Sequence, residues 1–329
     1  MKEYELEVLE QYDIEVKNIK RGRNSFLLDT DRGLCIVQNT GMSERRAESM
    51  DRLCLHLREG GCRLVDNPIA NKEGAFVSKL EDGTVYLVKK WFAGRECNVQ
   101  KEYEITEAVK NLAFLHNVLA EPTDNLQGDV PVGTKPEEEL QRYNQKLRKI
   151  RGFIRKRPAK NEFELLFLSC FEEMYAFAKE VTGKAEECRK LYEESKRKQT
   201  LVHGDYNYHN LIMTSEGIAT VNFDNFRVDI QAGDLYYFMR KIMEKNHWDR
   251  HLGEQIIRSY TRIHPLSGAE MEYLALRLAY PEKFFKAANT YYQSNKARIP
   301  QKSVEKLMLS VQETKEKKRF LGDIFSFHL

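Results

Sequence analysis

The stretch His203-Gly204-Asp205-Tyr206-Asn207-Tyr208-His209-Asn210 constrains this 329-residue chain more than any other. It has the form H-G-D-x-x-x-x-N. Leu201-Val202 precedes it; Leu211-Ile212-Met213, a turn at Ser215-Glu216-Gly217 and a second apolar run over 218–223 follow. That order predicts a short strand, a polar loop and a hairpin. At this spacing the loop aspartate stands where an acceptor hydroxyl gives up its proton, and the asparagine five residues on faces a Mg²⁺. Asp205 is therefore the candidate catalytic residue and Asn210 a candidate metal ligand. His203 is expected to brace the loop through a hydrogen bond and not to titrate in catalysis. A lone turn aspartate is ordinary, but the full spaced set with its hairpin is far rarer than any member.

The segments around the motif suggest an α+β, two-lobed layout, with strands first and helices later. Residues 1–93 read as a β-rich lobe with one main helix. Residues 4–11 look helical, Ile14-Glu15-Val16 alternates as a strand, and Arg21-Gly22-Arg23-Asn24 reads as a turn. Ser25 to Leu28 and Leu34-Cys35-Ile36-Val37-Gln38 are the next strands. Ser43 can cap the following helix, although Arg46 stands where a capping box would need an acid or amide. Gly60-Gly61 ends that helix. Gly74-Ala75-Phe76-Val77 and Thr84-Val85-Tyr86-Leu87-Val88 flank Glu81-Asp82-Gly83, a hairpin signal. Trp91-Phe92-Ala93-Gly94 can form the hinge, with Trp91 a candidate cofactor contact.

Residues 94–329 read as a helical lobe with a helical insertion near 137–199. Ala108, Leu112 and Leu115 mark a helix ending near His116, and a loop carrying Pro122, Gly128, Pro131, Gly133 and Pro136 follows. Leu140, Tyr143, Leu147, Ile150 and Ile154 step by three and four, as do Phe163, Leu166, Cys170, Met174 and Phe177. A third, charged helix is expected over 184–198. Beyond Gly233 the chain is mostly helical, with breaks near Pro265, Pro281 and Pro300.

Bulk properties bound the function classes. Apolar residues at 41% with 31% charged argue for a packed globular protein over a disordered one. No apolar run approaches the roughly 20 residues of a membrane span. The acidic start Met1-Lys2-Glu3-Tyr4-Glu5 lacks a signal-peptide core, so cytoplasmic synthesis is the expectation. Cys35, Cys54, Cys62, Cys97, Cys170 and Cys188 show no metal spacing and read as reduced packing residues. Lys146, Arg148, Lys149, Arg151, Arg155, Lys156 and Arg157 form a basic run on one helix. Polyanion or nucleic-acid binding is one reading of it, and a solvated helix face is the commoner one.

The chain resembles the aminoglycoside phosphotransferase and choline kinase-like superfamily, which has a protein kinase-like fold. Within it, the chain resembles the CotS-type spore coat proteins. Arg21-Gly22-Arg23, Thr30-Asp31-Arg32-Gly33, Tyr86-Leu87-Val88 and Trp91-Phe92-Ala93-Gly94-Arg95-Glu96-Cys97 carry that resemblance, with the basic helix over 146–157. So do Gly233-Asp234-Leu235, Tyr280-Pro281-Glu282-Lys283-Phe284-Phe285 and Asn289-Thr290-Tyr291-Tyr292. The superfamily resemblance implies ATP and Mg²⁺ as cofactors. The closer one implies the spore coat as the location and coat proteins as partners.

Two positions depart from what the resemblance implies. Gln38 stands where similar proteins carry a phosphate-binding lysine. Asn222, in Val221-Asn222-Phe223-Asp224, stands where they carry a metal-binding aspartate. Neutral amides offset no phosphate charge and add none to a Mg²⁺ site, which favours anionic oxygen. Asp224 is a possible substitute, but on a continuing strand it would sit roughly 6–7 Å further along. Glu44 or Glu48 is a candidate former partner of the missing lysine, with a plain surface charge the commoner reading of either, and neither Lys89 nor Lys90 stands at an obviously equivalent place. The expectation is a coat-associated, catalytically impaired kinase-fold protein that acts by binding. The alternative is an active ATP-dependent phosphotransferase on a small-molecule or protein hydroxyl.

Overall fold

The computed structural model describes residues 3–22, 25–120, 130–294 and 301–327. The expected turn at Arg23-Asn24, the loop positions Pro122 and Gly128, and the break at Pro300 lie outside the described residues. The chain forms two compact units, Met1–Val132 with Gln199–Val228, and Gly133–Lys198 with Asp229–Leu329. This division differs from the lobe boundary read at 93/94, because residues 94–132 and the strand–loop–hairpin around Asp205 both group with the N-terminal sheet.

The first unit is built on a sheet of β1 (Val16–Arg21), β2 (Ser25–Thr30), β3 (Gly33–Asn39), β4 (Val77–Lys79) and β5 (Val85–Lys90), in the order β1-β2-β3-β5-β4. A 3-10 helix at Glu3–Gln11 precedes it, tighter than the helix expected there, and β1 starts at Val16 where the expected strand ends. Alternation sorts the side chains. Phe26, Leu28, Cys35, Val37, Tyr86 and Val88 point to one face and pack with Val8 and Tyr12. Each such fully buried apolar side chain is worth roughly 1.5–3 kcal/mol, which pins the register of the strands. In that register Gln38 lies opposite Leu87 and Ile36 opposite Lys89, so Gln38 and Lys89 share the other face.

Helix α1 (Glu44–Glu59) begins at Ser43, whose hydroxyl accepts from the Arg46 amide at 3.3 Å, and closes at Gly60. After β6 (Arg95–Glu96), helix α2 (Glu102–Ala120) runs one turn past the expected end at His116. Its Glu104 receives both guanidinium nitrogens of Arg95 at 2.6 and 2.7 Å and the Asn98 amide at 2.9 Å, which fastens the helix start to β6. Strands β7 (Leu201–Val202), β8 (Leu211–Met213), β9 (Ile218–Thr220) and β10 (Arg227–Val228) complete the unit, paired as β10-β7 and β6-β8-β9.

The strand expected over 218–223 stops at Thr220. Asn222 turns left-handed (φ 64°, ψ 55°), and a 3-10 turn at Phe223–Asn225 follows. Its amide donates to the buried Asp66 carboxylate at 2.8 Å instead of continuing the ladder. Asparagine tolerates this backbone better than most residues.

The second unit is helical: α3 (Pro136–Lys156), α4 (Glu162–Lys184), α5 (Arg189–Lys198), α6 (Ala232–Met243), α7 (Arg250–Thr261), α8 (Gly268–Ala279), α9 (Glu282–Gln293) and α10 (Gln301–Phe325). The helix expected over 184–198 divides, with a 3-10 turn at Ala185–Cys188 before α5. Phe163, Phe167 and Phe171 are buried along α4; Phe163 stacks on Tyr291 of α9 at 4.3 Å and Phe167 on Phe284 at 5.4 Å between ring centres. Phe284, Phe285 and Tyr291 are therefore core residues. Of the basic run, Arg151 pairs with Glu172 and Arg157 with the buried Glu164, while Lys146, Arg148, Lys149, Arg155 and Lys156 are exposed. Among the described residues no helix is long and apolar enough to cross a membrane.

Candidate active site

The loop after β7 is held from both sides. His203 is fully buried; its Nδ1 accepts from the Asp205 amide at 3.2 Å, which leaves Nε2–H to donate to the Val221 carbonyl at 3.0 Å. The ring thus bridges the loop and the chain entering Asn222. Tyr206 donates to the Ala108 carbonyl at 2.7 Å, and Asn111 donates to Tyr206 and Thr220, tying the loop to α2. Within the loop, the half-buried Asp205 carboxylate accepts from Asn207 at 3.1 Å and Asn210 at 3.0 Å. Two amide donors fix the direction of the carboxylate, as orienting a hydroxyl requires.

Gly204 makes this loop possible. Its φ is +81°, and a Cβ there would stand 2.1 Å from the Asn225 carbonyl oxygen. Gly204→Ala is expected to cost at least about 1–3 kcal/mol. It should also displace Asp205, which a lowered denaturation midpoint and altered near-UV circular dichroism of the neighbouring tyrosines would report.

The coil at Asn222 changes the geometry expected of Asp224. Asn222 Oδ1 and Asp224 Oδ1 both lie against Lys89 Nζ, at 3.2 and 3.3 Å, so the two side chains meet at one ammonium. Lys89 Nζ also pairs with Asp66 at 2.7 Å, and both side chains are fully buried. Gln38 Nε2 donates to the other Asp224 oxygen at 3.1 Å, and Asn222 Nδ2 donates to Asn210 Oδ1 at 2.8 Å. One polar chain therefore runs from Asp205 through Asn210, Asn222 and Lys89 to Asp224 and Gln38. Sequence reasoning set Lys89 aside and did not consider Asp66. The available signal was strand alternation, which places Lys89 on the face of the apolar Leu87.

Burial draws the Lys89 ammonium down, but Asp66 and then Asp224 outweigh it, and its pKa stands above the ordinary lysine value. Burial pushes Asp66 the opposite way, toward protonation. Its Oδ2 nevertheless accepts from both Lys89 and the Asn222 amide, which fits the ionised pair. Cys54 lies fully buried nearby, its thiol pushed well up by burial, and is an inert packing group.

A Mg²⁺ needs anionic oxygens at about 2.0–2.1 Å. The candidate ligands are two amide oxygens and one carboxylate, each already hydrogen-bonded, with a lysine ammonium among them. This donor set does not fit the ion. Among the described residues no group of three or more His, Cys, Asp or Glu is arranged to hold a metal.

The family described as "Spore coat putative kinase YutH" matches residues 5–324. The chain belongs to this spore coat kinase-like family. Spore coat protein S of Bacillus subtilis (strain 168) is 21% identical to it over 334 residues, covering 92% of this chain and 88% of that protein. Among solved structures, an aminoglycoside phosphotransferase from Alicyclobacillus acidocaldarius is similar with a TM-score of 0.83 at 17% identity, covering 97% of this chain and 95% of that one. Spectinomycin phosphotransferase APH(9)-Ia, solved with ADP and spectinomycin, is similar at 0.66 and 14%, covering 95% and 97%. The fold is thus that of the aminoglycoside phosphotransferases, as the resemblance implied.

In this member of the YutH family the remaining candidates have other work. Glu44 accepts the Phe76 and Val77 amides at 2.8 and 2.9 Å, and Glu48 lies 3.9 Å from Arg52. Arg46 on α1 donates to the carbonyls of Asp224 and Phe226 and stacks 3.5 Å over the Phe226 ring. It thereby clamps the segment that carries Asp224. Trp91 is half-buried, its amide donating to Leu34 at 2.8 Å and its ring packed with Phe92 and Leu64 on Ile212, Ala219 and Val221.

Proposed function

We propose that this chain is a spore coat protein that uses a kinase-like fold for binding, with coat proteins as partners, and that it transfers phosphate poorly or not at all. One observation carries the reading: the oxygen Asn210 would turn to a metal accepts the amide of Asn222 at 2.8 Å. Gln38 supports it, since its amide is spent on Asp224 and adds no charge for phosphates. The surviving Asp205 carboxylate, aimed by two amides, favours the second reading, an active phosphotransferase on a small-molecule or protein hydroxyl. A coupled ATP-turnover assay with Mg²⁺ separates them. We expect the purified protein to match its Asp205→Ala variant at background. Turnover clearly above background, and lost in Asp205→Ala, would establish the second reading.

A further inference from the structure

We infer that Lys89 is the resident cation of this site, a fixed ammonium standing in the place that a phosphotransferase gives to a divalent metal. The inference deepens the binding-only reading, on which it rests for the site's identity. An ammonium has three N–H donors. Here they meet three oxygens, Asp66 Oδ2, Asn222 Oδ1 and Asp224 Oδ1, at 2.7, 3.2 and 3.3 Å. The side chain has no exposed surface, so no donor is left over for a phosphate. A divalent ion could reach Asn222 and Asp224 only by taking the same oxygens and standing against a positive charge.

The surrounding residues are those that such a cation asks for. Asn222 accepts from Lys89 and donates to Asn210, a bridge that a carboxylate at 222 could not make, because it has no donor when ionised. Gln38 donates to Asp224 without charge; a lysine there would set a second ammonium on that carboxylate. The amides at 38 and 222 are thus matched to Lys89, and the site is a rewired whole rather than a metal site that has lost two parts. Asp66 supplies the compensating buried charge, and its Oδ1 has no hydrogen-bond partner among the described residues. Its Oδ2, with Asp224 and Asn222, would face the space left if the ammonium were removed.

The test is a Mn²⁺ titration of the full chain, followed by thermal unfolding and by the free-Mn²⁺ paramagnetic resonance signal. The proteins compared are wild type and Lys89→Met. Wild type should leave Mn²⁺ free and its Tm unchanged. Lys89→Met should take up Mn²⁺ and gain Tm as the ion is added. Should Lys89→Met not fold, Lys89→Gln, which removes the ammonium but keeps an N–H donor for the buried Asp66 and leaves both carboxylates in place, replaces it with the same expectation. Mn²⁺ uptake by wild type overturns the inference, as does a folded Lys89 variant that binds no more Mn²⁺ than wild type. Mn²⁺ uptake by a catalytically silent wild type sinks the inference and leaves the binding-only reading. Asp205-dependent turnover by a wild type indifferent to Mn²⁺ alone sinks that reading and leaves the inference.

Discussion

Lys89→Met is expected to destabilise the unit that contains the site by about 3–5 kcal/mol, the cost of leaving one member of a buried ion pair alone. Asp66 would then lie fully buried with only the Asn222 amide to satisfy its charge. Removing both charges in Lys89→Met/Asp66→Asn should recover most of the loss, because a buried pair contributes little beyond its own desolvation. The two tryptophans allow the units to be read separately. Trp91 lies in the first and Trp248 in the second. Trp91 emission during urea unfolding, in a Trp248→Phe background, should show the midpoint fall in the single variant and largely return in the double. An unchanged midpoint in Lys89→Met would mean that the pair is not a closed, dry contact.

The second large effect concerns nucleotide. Gln38→Lys/Asn222→Asp alone should respond weakly to ATP and Mg²⁺, because Lys89 still holds Asp224 and Asp66. Adding Lys89→Met frees those carboxylates and supplies the charge pattern that the fold's phosphotransferases use. The triple variant should then gain ligand-linked stability, about 2.7 kcal/mol at a hundred times Kd. Thermal unfolding with ATP, with and without Mg²⁺, is the measurement. Equal responses in the double and triple variants would show that Lys89 is no obstacle. A full response in wild type would remove the case for impairment altogether.

Much of this was legible in the sequence, and the reason is locality. Asp205, Asn210 and His203 sit within one loop, so their spacing alone states their neighbourhood. Gln38 and Asn222 stood out because a lysine and an aspartate were expected there. Lys89 and Asp66 were not legible in the same way. They lie 23 residues apart in sequence and meet because the chain after α1 pairs with β5, Pro68 standing opposite Lys89. The position of Asp224 was misjudged for a related reason. Reading 218–223 as one strand carries it away from Asn222, whereas the left-handed turn at Asn222 folds it back onto the same ammonium. A single backbone conformation, paid for by a hydrogen bond to Asp66, decided that difference. The helical unit was easier, since spacings of three and four mark α3 and α4 without long-range information.

The interleaving of the two units has a consequence for synthesis. Each unit is made of two stretches of chain, and the stretches alternate, so neither unit is complete when the other begins. The ribosome delivers Asp66 and Lys89 well before Asn222 and Asp224. At roughly 5–20 residues per second that interval is on the order of ten seconds. Throughout it the nascent sheet carries an ammonium two of whose three acceptors do not yet exist. A nascent chain halted before residue 199 should therefore expose Lys89 to amine-directed labelling, whereas the finished protein protects it.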